Sequence, residues 1–214
     1  MAAPIPDHQQ WSVGPPPPSP HSDLPAFFYR VQHYDSTSYQ YADGEFESTC
    51  HYRRFNRYLN RKALVKHLNW NNRSRTPFIS VFNNRESTED AMDRAQMHLN
   101  WNHRNVRVCK IDTKPLQLDR VRCRQGMPVW ATDPSLRGCF FFSTQEARRY
   151  LGLPPDWGQR SEWFAVNCIP GGMVSVDTFW DWNGQMYTRP DGITGGWSGD
   201  AQAGNSRPAK PMYW

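Results

Sequence analysis

The 214-residue sequence predicts an α+β domain. Four short runs carry the β-branched and aromatic content of strands: FFYRV around Arg30, TPFISVF around Ser80, NVRVCKID from Asn105 to Asp112, and EWFAVNCI from Glu162. Segments of helical periodicity lie between the first three. A longer insertion separates the third from the fourth, which breaks the regular alternation of a parallel-sheet protein.

Taken in order, FFYRV opens the domain as a strand and leads into a long loop rich in Tyr, Ser and Asp. In RYLNRKALVKHLNW, the residues Leu59, Ala63, Leu64, His67 and Leu68 form a helical stripe. TPFISVF follows as a buried strand started by its proline. A second helix is expected from about Ser87 to Trp101, with Ser87 or Thr88 as cap, acids in the first turn, and Ala91, Ala95 and Leu99 recurring at every fourth position. NVRVCKID alternates, with Val106, Val108 and Ile111 as its main apolar members. Ser143-Thr144-Gln145-Glu146 is a capping box opening a short helix through Leu151, and Gly152 with Pro154-Pro155 ends it. EWFAVNCI is read as one strand, turned into MVSV by Pro170-Gly171-Gly172.

Residues 1–24 form a Pro-rich leader with the run Pro15 to Pro18, expected to be extended or disordered, and 183–214 a Gly/Pro/Ser-rich tail. The folded unit is expected over 25–182. The net charge of +5 describes a mildly basic surface without the dense Lys/Arg block that tracks phosphates. Five cysteines form no Cys-x-x-Cys, and no histidine follows any of them at zinc spacing, so no metal is expected. Cys109 and Cys168 read as small buried hydrophobes. The seven histidines form no usable pattern, and His33 reads as a loop residue. With no secretory signal and no apolar stretch near membrane-spanning length, an intracellular location, cytoplasm or nucleus, is the expectation.

Three strands each carry a polar residue that a buried strand does not tolerate alone: Arg30, Ser80 and Glu162. An unsatisfied buried polar group costs roughly 2–7 kcal/mol, and an ion more. Mutual satisfaction or a shared ligand would relieve it. Read one at a time, each residue also has a plain structural role: Arg30 bridging to Asp112, Asp119 or Glu162, Ser80 bonding a neighbouring carbonyl, and Glu162 solvated at the head of its strand.

The order of these motifs resembles the Arg-Ser-Glu class of ADP-ribosyltransferases, in its pierisin and heat-labile enterotoxin A-chain branch. An aromatic-Arg strand, a helix, the PFIS strand, a second helix, the Ile111-Asp112 strand and a Glu-led strand ending in Pro-Gly-Gly carry that likeness over about residues 27–178. The FISVF and E-aromatic…IP signatures also look like an uncharacterised fungal domain family. The resemblance implies a split β-sheet with flanking helices around a cleft for NAD. It further implies mono-ADP-ribosyl transfer to a protein or nucleic-acid acceptor. On it, Glu162 is the catalytic carboxylate facing the ribose, Ser80 orients that glutamate, and Arg30 binds the pyrophosphate through its planar fork. Phe82, Tyr34 or Trp180 would supply the ring against nicotinamide, Phe82 and Tyr34 being the cofactor-binding candidates carried forward.

The pattern departs from the class at Val81 and Phe82, where further hydroxyls are usual, and at Arg160, two residues before Glu162. A hydrolase of NAD and an inactive domain of the same fold acting as a binding module are the alternatives those departures favour.

Overall fold

A computed structural model of the protein describes residues 24–33, 36, 38–48, 59, 61–69, 74–85, 91–103, 105–123, 126–132, 138–180 and 184–188. The Pro-rich leader to residue 23, the tail beyond residue 188 and Tyr34 lie outside the described residues.

The fold is α+β and its strand pairings are antiparallel. In chain order the elements are β1 (Phe27–Gln32), β2 (Tyr39–Gln40), β3 (Phe46–Glu47), α1 (Arg61–Leu68), β4 (Phe78–Phe82), α2 (Ala91–Asn100) and β5 (Arg107–Asp112). Then come β6 (Asp119–Arg122), β7 (Pro128–Ala131), β8 (Phe140–Ser143), α3 (Thr144–Leu151), β9 (Glu162–Val166), β10 (Cys168–Ile169), β11 (Val174–Trp180) and β12 (Met186–Thr188). Nine strands form one sheet in the order β12-β11-β5-β1-β4-β9-β8-β7-β6, and β10-β3-β2 form a second, small sheet.

Strand alternation sorts the large sheet into two faces. On one face Phe78, Phe142, Phe164 and Val166 pack with Leu64 of α1 and with Ala147 and Leu151 of α3. Val31, Phe82 and Val108 pack there with Ala91 and Ala95 of α2. The opposite face presents Phe28, Ile79, Val81, Cys109, Trp163 and Ala165 to Phe46 and Ile169 of the small sheet. Phe28 stacks on Phe141 with ring centroids 5.1 Å apart. Burial of each such ring stabilises by about 1.5–3 kcal/mol, which holds a layer of helices and a layer of short strands on opposite sides of one sheet.

Local chemistry sets the element ends. The Ser143 hydroxyl accepts the Glu146 N–H, as the capping box requires, and Gly152 closes α3 in the left-handed region at φ 62. The run read as a single strand from Glu162 to Ile169 is two. Asn167 at φ 66 breaks it, and its two halves belong to different sheets. The insertion between β5 and α3 holds β6, β7 and β8, which extend the large sheet to its edge. No helix among the described residues is long and apolar enough to cross a membrane.

Candidate functional site

Arg30, Ser80 and Glu162 stand on three neighbouring strands, β1, β4 and β9. Register decides which way they face. Phe82 pairs with Glu162 and Ser80 with Phe164, so Ser80, Phe82 and Glu162 share the helix-covered face. Arg30 pairs with Cys109, whose side chain belongs to the face under the small sheet. The structure therefore brings Ser80, Phe82 and Glu162 together and starts Arg30 on the other side of the sheet.

The guanidinium nevertheless returns to strand β4. Against the β5 side, β1 keeps six register pairs, but against β4 it keeps only Tyr29 with Phe82. Ladder bonding stops there, and Arg30 Nη1 donates to the Ser80 main-chain carbonyl at 2.8 Å. Its Nη2 donates to Gln32 Oε1 at 3.2 Å and to the Ser38 hydroxyl, and the group lies 5.2 Å from the Phe46 ring centroid. Arg30 is 7% exposed, and its Nε has no hydrogen-bond partner among the described residues. None of these partners carries a charge, in contrast to the bridge to Asp112, Asp119 or Glu162 that the sequence allows. Burial lowers the pKa of this arginine to about 10.

The Ser80 hydroxyl is engaged by a residue that sequence reasoning placed only in a packing stripe. His67, in the last turn of α1, holds Ser80 Oγ at 2.9 Å through Nε2 and Thr76 Oγ1 at 2.6 Å through Nδ1. Its ring stands edge-on to Phe78 and Phe164, each 5.5 Å away. Burial first, and then Arg30 and Arg94, push its pKa down to about 3, so it is a neutral imidazole at physiological pH. A base held that far down does not activate a hydroxyl near neutrality. Its role is to orient Ser80.

Glu162 is 4% exposed. Its Oε2 accepts the Gln159 N–H at 3.1 Å, and its main-chain carbonyl accepts the Thr144 hydroxyl at 2.7 Å. The loop that supplies the Gln159 donor is clamped by Arg148 of α3, which donates to the carbonyls of Trp157 and Gly158. Gly158 adopts φ +72, and a Cβ there would stand 3.2 Å from Glu162 Oε2. The glycine leaves room for the carboxylate. Ser80 and Glu162 are diagonal neighbours on one face, but the hydrogen bond to the Glu162 carboxylate comes from the loop before it.

Arg94 of α2 is absent from the sequence reading. Its guanidinium lies 5.7 Å from the Phe82 ring centroid, and the Glu162 charge acts on it, opposing the larger effect of burial, which lowers its pKa. Helix spacing alone gives no sign of this, because the contact requires the tertiary fold. Phe82 is 2% exposed and packs with Trp180, so both rings belong to the core. Tyr29 and Phe27 line a groove of about 560 Å³ together with Asn83 and Arg85. Arg160 is exposed, outside this arrangement.

The chain belongs to the family described as Domain of unknown function (DUF7587), which matches residues 23–183. No curated protein and no solved structure matches it.

Proposed function

We propose that the domain is an ADP-ribosyltransferase-type module that binds NAD and transfers ADP-ribose to a macromolecular acceptor, protein or nucleic acid. The observation that carries this reading is the Arg30 guanidinium. It is buried, holds no carboxylate among the described residues, and lies where β1 and β4 cease to pair. A buried cation without a counter-ion is costly, and a pyrophosphate would remove that cost with bidentate hydrogen bonds.

In this reading the C–N bond between nicotinamide and ribose breaks, its electron pair leaves with nicotinamide, and positive charge builds on the sugar. The Glu162 carboxylate, held by the Gln159 N–H of a loop that Arg148 clamps, opposes that charge. The acceptor nucleophile then bonds to the anomeric carbon and releases its proton. Ser80, held by His67, sets the wall of β4 beside it.

A second reading is a domain of this fold that binds without chemistry. It is favoured by the burial of Glu162 beneath the helix layer and by the capture of the Ser80 hydroxyl by His67.

Incubation of the full chain with NAD, following nicotinamide release and melting temperature, separates the two. Transfer or hydrolysis requires release that Glu162→Gln abolishes. A rise in melting temperature without release supports the binding module, and neither response overturns NAD recognition altogether.

A further inference from the structure

We infer that His33, His98 and His103 form a binding site for a zinc-class divalent transition-metal ion, independent of any NAD chemistry. One ring nitrogen from each lies within 4.8 Å of the others. The ring centroids are 4.2 Å apart for His33 and His98, 4.3 Å for His33 and His103, and 5.0 Å for His98 and His103. All three are half-buried.

The grouping has a local cause that spacing in the sequence hides. Helix α2 ends in a Schellman turn: His103 N–H donates to the His98 carbonyl, Asn102 N–H donates to the Leu99 carbonyl, and Asn102 takes φ 59. That turn folds the residue three past the helix back over its last turn. The position pair that ordinarily makes an apolar contact is here two imidazoles, with Nδ1 atoms 2.9 Å apart. His33, just beyond the end of β1, closes the third side, because α2 packs on β1.

The chemistry of the trio suits a metal. Two Nδ1 atoms in contact need a proton between them when no ion is present. With both rings in the Nε2–H tautomer, they offer two lone pairs to one ion. Zn–N bonds of about 2.0–2.1 Å set tetrahedral nitrogens about 3.4 Å apart, so modest rotation of the rings accommodates the ion. The carboxyl end of a helix adds a favourable partial charge. Three histidines leave a fourth position for water or a ligand. A bound ion would tie the end of β1 to the end of α2, one turn from Arg94.

The test uses the full chain, stripped with a chelator and titrated with Zn²⁺ against a chromophoric competitor, with Co²⁺ as spectroscopic probe. The expected result is one equivalent bound, a Co²⁺ spectrum of nitrogen and oxygen ligation, and affinity lowered at least about tenfold in His98→Gln, in His103→Gln and in His33→Gln. Cys168→Ser should leave binding unchanged. Absence of stoichiometric binding by the wild type, thiolate charge-transfer bands with Co²⁺, or unchanged affinity in folded histidine variants would each overturn the site. If a variant fails to fold, the wild-type stoichiometry and Co²⁺ spectrum decide alone.

Discussion

The Arg30 guanidinium donates to the main-chain carbonyl of Ser80, 2.8 Å away, and leaves the Ser80 hydroxyl to His67. The two residues therefore separate cleanly by substitution. Ser80→Ala should keep the Arg30 contact and cost about 1 kcal/mol through the lost hydroxyl bond. Arg30→Lys keeps the charge but loses the fork, so it should destabilise by about 1.5–3 kcal/mol. It should also remove any NAD-induced rise in melting temperature. Urea denaturation of both variants, with and without NAD, checks the pair.

Gly158 stands in the left-handed region, and a Cβ there would meet Thr144 Cγ2 at 2.9 Å, Leu68 Cδ2 at 3.1 Å and Glu162 Oε2 at 3.2 Å. Gly158→Ala should cost about 1–3 kcal/mol. If the domain is an enzyme, nicotinamide release should fall by more than the folded fraction does. A variant as stable as wild type would mean that the loop adapts without strain.

His67 gives a pH dependence whose sign follows from its burial. Its pKa is about 3 in the folded chain, against about 6.5 when unfolded, because burial, Arg30 and Arg94 oppose its protonation. The folded state thus binds fewer protons between those values. Stability is fully present above pH about 6.5 and is lost as pH falls toward about 3, by up to about 5 kcal/mol. His67→Gln should flatten that slope in denaturation curves measured across the range. An unchanged slope would assign the acid sensitivity to other groups.

Ser143 accepts the Glu146 N–H at 3.1 Å and sets the start of α3, the helix that carries Arg148. Ser143→Ala should cost about 1 kcal/mol, read as a shift in the urea midpoint with unchanged slope, and Ser143→Asp should largely restore it.

What the sequence disclosed were the features written in short-range pattern. FFYRV, TPFISVF and NVRVCKID announce β1, β4 and β5, and the Ser143 box and Gly152 announce both ends of α3. Helix α2 is seen from Ala91, while residues 86–90, where its cap was expected, lie outside the described residues. The two-residue strands β2 and β3 were hidden, since so few residues show no period, and β10 was read as the end of the strand that begins at Glu162. Hidden too was the facing of Arg30, which depends on a single register pair with β4. His67, Arg94 and the His98–His103 contact all depend on helix placement or on a turn that reverses the chain, so no spacing rule reached them. Ser80 and Glu162 were legible because a hydroxyl and a carboxylate interrupt apolar strands.

Asn167 couples two distant parts of the molecule through a single residue. Its N–H donates to the Pro77 carbonyl at the head of β4, and its own carbonyl accepts the Ser48 N–H beyond β3. On one side the chain runs back through β9 to Glu162. On the other it continues into β10, whose Ile169 pairs with Phe46, the ring beneath Arg30. The glutamate and the arginine, on opposite faces of the sheet, are thus joined by one short stretch of backbone pinned at residue 167.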